Sequence, residues 1–312
     1  MFRYTLSRVG QALIVILAAT FLLYFMVYAM PGDPVAALVG ENVTLDPATR
    51  AAIEAKFNLD KPFIVQYGIY LSQVFQGDLG TTFAGRPVTE VIVRVFPNTF
   101  RLAVLTVGIQ ASVGVVVGVI AGRKRGGALD HVVMVITMML IGVPTFVTAF
   151  LVQYFLGVQL RWIKPTVSAG APWAELIVPA LVLALGSMAF LIRFTRSGIA
   201  EVLNAEHVKA ARARGLSERQ VTINHILRNA LIPIVTVVGT EFGALLGGAI
   251  ITESIFNIPG FGQQVYQSII RGELAPTVSL VIVLVVIFVT VNLLVDLLYA
   301  VLNPKVRYGD NV

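Results

Sequence analysis

Long apolar segments alternate with shorter polar ones along the whole chain. A helix needs about 20 residues to cross the roughly 30 Å hydrocarbon core of a bilayer. Six segments meet this length, at Val9–Met30, Thr99–Gly122, Val132–Leu156, Leu176–Phe194, Ile232–Thr252 and Val278–Val301. The first is interpreted as a retained span, because it is too long for the apolar region of a signal peptide and no small-residue cleavage site follows it. The pattern therefore predicts an all-α membrane protein with six transmembrane helices.

Composition supports this prediction. Of the 312 residues, 57% are hydrophobic and 13% are charged, whereas soluble domains carry about 25% charged residues. The chain has no cysteine, which excludes disulfides, thiolate metal sites and cysteine nucleophiles. Its net charge of +6 would suit nucleic acid, but the positive residues border the apolar segments. That placement favours a membrane-topology signal, and no nucleic-acid partner is expected.

The distribution of lysine and arginine predicts the orientation of the spans. With the N-terminus inside, the inner connecting segments hold 13 basic and five acidic residues, and the outer ones hold eight basic and ten acidic residues. An excess of positive charge on the inner side is typical of cytoplasmic segments. We therefore expect both termini to lie in the cytoplasm of a multi-pass protein of the bacterial inner membrane.

The longest outer segment, residues 31–98, is predicted to form a small external helical cap. Asp46 and Pro47 suit an N-cap and a first helical position, with a helix over Ala48–Phe57. Pro62–Phe75 carries an apolar stripe at helical spacing. The predicted divisions are 1–30 for the N-terminus and first span, 31–98 for the cap, 99–302 for the transmembrane core with its inner loop 195–231, and 303–312 for a cytoplasmic tail.

Two spans carry glycines at every fourth position, a spacing that lets helices approach closely in a membrane. The sets are Gly114, Gly118 and Gly122 in the second span, and Gly239, Gly243 and Gly247 in the fifth. Packing within the chain is the simpler interpretation, and contact of one set with a second subunit is the alternative. Pro144 and Pro179, in the third and fourth spans, are expected to kink their helices.

Motifs for catalysis are missing from the sequence. No lysine follows a glycine, so the phosphate-binding loop of nucleotide-hydrolysing proteins is absent. There is no HExxH, no GxSxG and no convincing metal spacing among His131, His207 and His225. The chain is therefore expected to be no enzyme and to hold no metal or cofactor. We expect it to transport or bind a ligand, with the energy supplied by a partner.

Glu241 is the one ionisable residue near the middle of a predicted span. A carboxylate at that depth costs at least ~2.5 kcal/mol unless it faces protein or water. Two interpretations stay open, a residue that lines a transport pathway and a hydrogen-bonded glutamate between helices. Asp296, nearer the inner end of the last span, is expected to be satisfied by water or Arg193.

A basic stretch rich in small residues, Glu206–Gln220, lies in the longest inner loop. Asn204 is predicted to cap a helix that runs to Gly215, where a left-handed residue ends it. Ser217 and Gln220 fit a capping box that starts a second helix. Alanines keep the first helix slim enough to enter a groove in a partner. Contact with anionic lipid headgroups is the alternative that the charge alone would favour.

This stretch resembles the EAA loop of the transmembrane subunits of type I ATP-binding-cassette (ABC) importers. Lys209-Ala210-Ala211, three residues and then Gly215 match its spacing, with lysine in place of the first acidic residue. That replacement and the more distant Pro233 are similar to the peptide-permease branch. Further similarities to that branch are PGDPVAAL (Pro31–Leu38), GDLG (Gly77–Gly80), TESIFNIPGFG (Thr252–Gly262) and VNLLVDLLYAVLNPKVR (Val291–Arg307).

The resemblance, to the first permease of the dipeptide and oligopeptide importers, implies a fold, a function and partners. The fold would be that of a type I ABC importer permease. The residues that would couple the chain to a cytoplasmic ATPase are Glu206, Lys209, Ala210, Ala211, Arg212, Arg214 and Gly215. The partners would be a homologous second permease, two ATP-binding subunits that hold ATP and magnesium, an external substrate-binding protein and lipid. A nickel or glutathione importer, and a stand-alone secondary transporter, remain alternatives.

Overall fold

A computed structural model describes residues 2–28, 35, 46–56, 58, 60–82, 85–247, 249–271 and 273–302. Its α-helices are α1 (Phe2–Tyr28), α2 (Pro47–Lys56), α3 (Phe63–Phe75), α4 (Val88–Arg123), α5 (Ala128–Gly142), α6 (Thr145–Val152), α7 (Trp173–Leu203), α8 (Glu206–Ala213), α9 (Glu218–Gln220), α10 (Arg228–Leu246), α11 (Ile250–Ile255), α12 (Phe261–Ile270) and α13 (Leu274–Leu302). Two π-helical segments, Gln153–Gln159 and Val221–Leu227, follow α6 and α9. Most of the PGDPVAAL motif and the predicted tail 303–312 lie outside the described residues.

Five described helices, α1, α4, α7, α10 and α13, are long and apolar enough to cross a membrane. A sixth span is formed if α5 and the stretch Thr145–Gln159 are taken together, although the two halves meet at 90°. The chain is therefore an all-α membrane protein, as the hydrophobic pattern predicts. In the described residues β pairing is limited to an isolated bridge between Thr81 and Pro87.

The third predicted span is broken at Val143–Pro144. Val143 ends α5 in an extended conformation, with φ −97° and ψ 121°, and Pro144 precedes the first residue of α6. Proline disfavours the helical conformation of the residue before it, and this explains the break. The kink predicted at Pro144 in the span Val132–Leu156 is confirmed, and it is sharp enough to divide the span into two helices. At Pro179, by contrast, α7 continues as one helix.

The glycines of the second span lie where α4 packs against α7, the most extensive helix contact among the described residues. A Cβ atom at Gly118 would lie 2.5 Å from the Thr195 side chain, and one at Gly122 would lie 2.8 Å from the carbonyl oxygen of Arg196. At Gly114 the nearest atom, in Leu191, is 2.9 Å away. The two backbones can approach this closely only because these positions lack side chains.

The glycines of the fifth span face α13 instead. A Cβ atom at Gly239 would meet Val295 at 2.7 Å, one at Gly243 would meet Val291 at 3.3 Å, and at Gly247 the nearest atom of α13 is 3.6 Å away. Close approach is therefore needed chiefly at the first of the three positions. In the described residues both sets of glycines therefore make contacts inside the chain.

The first helix lies at the edge of the bundle, against α13 and the cap. Arg8 of α1 lies 3.4 Å from the carboxylate of Asp296, so the basic residue paired with Asp296 is Arg8 and not Arg193, one of the two partners expected. The cap helix α3 packs on α1 through an aromatic cluster that includes Phe21, Tyr24 and Tyr67. The helix predicted after Asp46 is present as α2 and begins one residue earlier, at Pro47. Its first turn is capped by the Asp46 carboxylate, which accepts from the Thr49 amide at 2.9 Å.

Candidate functional site

The connection between α7 and α10, called the α8 segment (Ala205–Gln220), begins differently from the sequence prediction. Asn204 does not cap α8. It is the residue that ends α7, and its side-chain amide nitrogen donates to the backbone carbonyl of Ala200 at 3.2 Å. Ala205, in an extended conformation and without a side-chain cap, precedes α8 instead. Asparagine suits both ends of a helix, and this explains why its position misled the prediction.

The end of α8 agrees with the prediction. Gly215 has φ +78°, and open space surrounds the position of its missing Cβ. It is therefore required for its left-handed conformation rather than for close packing. Ser217 and Gln220 form the predicted capping box, in which each side chain accepts a hydrogen bond from the backbone of the other. The π-helical segment and α10 follow α9 without a turn between them.

The faces of α8 divide the predicted coupling residues into two groups. Val208 and Ala211 are buried in a cluster with Ile199, Val221 and Ile226, which joins the segment to the end of α7 and to α10. Ala211 therefore packs against its own chain rather than facing a partner. Its inclusion among the residues predicted to contact the ATPase is corrected accordingly. The exposed residues are Glu206, Lys209, Ala210, Arg212, Arg214 and Gly215.

An ion pair closes the turn of the α8 segment. The guanidinium of Arg212 donates to the Glu218 carboxylate at 2.8 Å, across the turn made by Gly215. This hydrogen bond holds the pKa of Glu218 below its usual value. Lys209 and Glu206 pair at 3.3 Å on the exposed side of α8. Both pairs are open to solvent and are therefore weak, so the local backbone conformation determines most of the shape of the segment.

Glu241, the other candidate, lies on α10, far from the α8 segment along the helix. It is half-buried, and its carboxyl group lies next to the hydroxyl group of Ser187 on α7. Ser187 donates in turn to the side-chain oxygen of Gln110 on α4, at 2.9 Å. Three polar side chains from three spans thus meet inside the bundle. Sequence reasoning missed Gln110 and Ser187, although each is an isolated polar residue in an apolar stretch.

Sequence reasoning also missed Glu253, which is fully buried in α11. Its carboxylate accepts from the hydroxyl group of Thr99 at 2.7 Å and from the amide of Gln263 at 2.9 Å. The same Thr99 oxygen accepts from the amide of Phe261 at 2.7 Å. Glu253 therefore ties α11 both to α4 and to the first turn of α12. The unit formed by α11 and α12, Ile250–Ile270, is called the α11–α12 hairpin.

Two glycines of the TESIFNIPGFG motif make room for this carboxylate. A Cβ atom at Gly260 would lie 2.5 Å from the Glu253 carboxyl group, and one at Gly262 would lie 3.0 Å from it. Burial raises the pKa of Glu253 to about 7, against the opposing effect of its hydrogen bonds. The signal that could have identified this residue was present in the sequence, as a glutamate followed by two glycines in an apolar motif.

Comparison with known protein families gives two matches that together cover nearly the whole chain. Residues 114–308 match the model described as "Binding-protein-dependent transport system inner membrane component". Residues 1–103 match its N-terminal counterpart. The gap between the two matches falls inside α4, which is one continuous helix.

Full-length relatives carry transport names. A protein of Brucella suis biovar 1 (strain 1330), provisionally named a peptide permease protein, is 34% identical over 98% of this chain and 99% of its own length. A protein of Pectobacterium atrosepticum named a glutathione transport system permease is 35% identical over 99% of this chain and 100% of its own length. A second glutathione permease, from Salmonella choleraesuis, is also 35% identical.

Two solved structures share the fold at low sequence identity. The inward-facing MetNI methionine ABC transporter matches with a TM-score of 0.58 and 19% identity, over 69% of this chain and 97% of its own. An amino acid ABC transporter solved with histidines matches with a TM-score of 0.53 and 20% identity, over 68% and 94%. Both likenesses support the fold alone.

Proposed function

Because the chain belongs to the family of binding-protein-dependent transport system inner membrane components, and is thus the permease subunit of an ABC importer, we propose that it forms half of a translocation pathway for peptides. The observation that carries this proposal is the α8 segment, a short exposed helix with a fixed shape at one end of the bundle. Relatives named for peptides and for glutathione, itself a tripeptide, support the substrate class.

The energy of ATP hydrolysis is transmitted to this chain through α8. ATP and magnesium bind to two cytoplasmic ATPase subunits, and the exposed face of α8 rests against one of them. Lys209, Ala210, Arg212 and Arg214 lie on that face. The cluster around Val208 and Ala211 anchors the helix to α7 and α10. A displacement of α8 is therefore transmitted to two spans at once.

The remaining partners follow from this orientation. The α8 face and both termini lie in the cytoplasm, and the α11–α12 hairpin and the cap lie outside, where a substrate-binding protein delivers the peptide. A homologous second permease completes the pathway, with lipid around both.

Glu241 lines the pathway on α10, beside Ser187, because a half-buried carboxyl group among spans requires polar surroundings.

The coupling proposal is tested by filling the exposed face of α8. Ala210→Trp adds a large side chain where a partner groove must fit, and we expect loss of ATPase co-purification and of peptide-stimulated ATP hydrolysis, with normal membrane insertion. Ala52→Trp, at an exposed alanine of α2 in the external cap, is the matched control for ATPase co-purification. Wild-type association of the Ala210→Trp variant would contradict the proposal and favour contact of α8 with lipid headgroups.

The orientation is tested with single cysteines, since the chain contains none. Ala48→Cys, in the cap, should react with an impermeant thiol reagent on intact cells. Arg219→Cys, in α9, should react only after the cells are opened. Labelling of position 219 in sealed cells would contradict the orientation.

Glutathione is a second candidate substrate, supported by the two glutathione permeases among the relatives. ATP-driven uptake of labelled tri-alanine into proteoliposomes, with glutathione as competitor, separates the two. Competition at equal concentration favours glutathione, and uptake that glutathione leaves unchanged favours α-linked peptides. Uptake by this chain alone under an ion gradient would instead indicate a secondary transporter.

A further inference from the structure

A polar cavity of about 550 Å³ opens between α4 and the α11–α12 hairpin, at the end of the bundle opposite α8. Cavities that hold small ligands typically measure about 300–1,000 Å³. Two arginines and five carboxamides dominate the lining, and none of its described residues carries a carboxylate. The lining residues are Arg94, Val95, Asn98, Ala169, Asn257, Pro259, Gly260, Gln263, Gln264, Gln267 and Arg271.

The floor of this cavity is held in place by hydrogen bonds. The side-chain amide nitrogen of Asn98 donates to the backbone carbonyl of Pro259 at 2.8 Å. The side-chain amide nitrogen of Gln263 donates to the side-chain oxygen of Asn257 at 2.5 Å. Asn257 has φ +51°, a left-handed conformation that asparagine adopts more readily than most residues with a side chain. Beneath them, Glu253 binds the first turn of α12. The cavity is thus preformed in this structure.

The two arginines of the rim have unused hydrogen-bonding capacity. Arg94 and Arg271 are exposed, and neither side chain forms a hydrogen bond or ion pair with the part of the chain that the structure describes. Glu90 and Glu273, the acidic residues closest to them in sequence, do not line the cavity. Two guanidinium groups on one polar cavity create a site for a carboxylate, which a guanidinium binds with two parallel hydrogen bonds.

The carboxamides suit the rest of a peptide. Asparagine and glutamine side chains both donate and accept hydrogen bonds, as backbone amides do. The core of an interface with another subunit is typically enriched in aromatic residues and methionine, and the described lining residues include neither. The composition therefore favours a small polar ligand that carries a carboxylate over a buried protein surface.

We propose that this cavity is an entry site of the permease for the peptide, in which Arg94 and Arg271 bind a carboxylate of the ligand and the carboxamides bind its backbone. The proposal rests on the proposed function, because it specifies where the peptide first meets this chain.

The test uses the purified complex of both permeases and the ATPases in nanodiscs, without the binding protein. The probes are tri-alanine and its C-terminal amide, titrated by calorimetry. Hydrogen bonds to charged groups correspond to about 10-fold in affinity, so we expect the wild type to bind tri-alanine about 10-fold more tightly than the amide. The variant Arg94→Gln/Arg271→Gln should bind both probes equally weakly. Arg86→Gln/Arg161→Gln, at exposed arginines outside the cavity, should keep the wild-type ratio.

Three results would overturn the proposal. One is an equal affinity of the wild type for the two probes, or an unchanged ratio in Arg94→Gln/Arg271→Gln. Another is a double variant that binds the probes normally but has lost affinity for the binding protein, because the arginines would then serve protein docking. The third is efficient photo-cross-linking of a benzophenone on Arg271→Cys to the second permease, because the cavity would then be part of a subunit interface.

Transport separates this proposal from the proposed function. ATP-driven uptake of tri-alanine by the wild type, in proteoliposomes with the binding protein, together with any of these three results would overturn the cavity alone. Failure of the wild type to import any peptide would overturn both. Arg271→Lys, which keeps the charge without the planar fork, should show an intermediate preference for the carboxylate.

Discussion

The α8 segment and the α11–α12 hairpin are both short helical connections at the ends of α10, but different forces hold them. In the α8 segment the capping box joins residues three apart and the ion pair joins residues six apart. In the hairpin the Thr99 hydroxyl group joins Glu253 and Phe261 across 154 and 162 residues. The polar contacts of the first are exposed and local in sequence, although Val208 and Ala211 anchor it to the bundle, whereas those of the second are buried and depend on the assembled bundle. A connection of the first kind can move as a unit, whereas one of the second kind stabilises the fold around it.

The largest effect is expected from removing the carboxyl group of Glu253. Glu253→Ala leaves the Thr99 hydroxyl group and buried amides of α12 without an acceptor, at about 1–3 kcal/mol each, so the free energy of unfolding should fall by about 3–5 kcal/mol. Glu206→Ala, at a glutamate of α8 whose side chain is 95% exposed, is the matched control and should change it by less than about 0.5 kcal/mol. Thermal unfolding in detergent measures both. Similar losses in the two variants would contradict the comparison.

The dependence of stability on pH should have opposite signs in the two regions. The pKa of Glu253 is raised by burial from 4.5 to about 7. Its contribution is therefore fully present below pH 4.5 and is lost as the pH rises through 7, by about 3 kcal/mol in total. Glu218 has a lowered pKa, so its contribution to stability is present at pH values above its ordinary pKa and is lost as the pH falls.

Unfolding measured from pH 5 to pH 8.5 checks this sign. Glu253→Gln should flatten the decline at the alkaline end, and Glu218→Gln should leave it unchanged. A wild-type protein that becomes more stable between pH 6 and pH 8.5 would show that Glu253 does not titrate as its burial requires.

Two glycines extend the comparison. Gly260→Ala places a methyl group against the Glu253 carboxyl group and should cost about 1–3 kcal/mol through overpacking. Gly215→Ala meets open space and should cost only about 1 kcal/mol, from its left-handed backbone. Unfolding of each single variant measures the difference. Glu253→Asp, which shortens the side chain, should relieve the first and leave the second unaffected, and an additive double variant Gly260→Ala/Glu253→Asp would argue against the contact.

The smallest effect belongs to the capping box. Ser217→Ala removes the hydroxyl group that accepts from the Gln220 amide and should cost about 1 kcal/mol. Ser217→Thr keeps the hydroxyl group and is the control. Because the hydroxyl group lies on the exposed side of the turn, the loss should appear as faster amide exchange in α9 with little change in global unfolding. A large change in global stability would mean that this turn also depends on distant contacts.

The parts of the molecule that sequence predicted are those determined by neighbouring residues. Gly215, the capping box and the break at Pro144 follow from local backbone preferences, and the spans follow from hydrophobic length. Asn204 was misplaced because one local preference serves both ends of a helix. Glu253 was missed because its partner Thr99 is distant in the chain, and Ala211 was assigned to the wrong face because burial depends on where α7 and α10 come to lie.

The helix that runs from Glu218 through the π-helical segment to Leu246 contains no turn and is on the order of 40 Å long. In a continuous helix, the number of residues determines the axial position and the rotation of every side chain that follows. One inserted residue in Val221–Leu227 would advance the far end by about 1.5 Å and rotate it by about 100°. Glu241 would then turn away from Ser187, and Gly239 away from Val295. Evolution of this stretch is therefore expected to tolerate many replacements and almost no change in length.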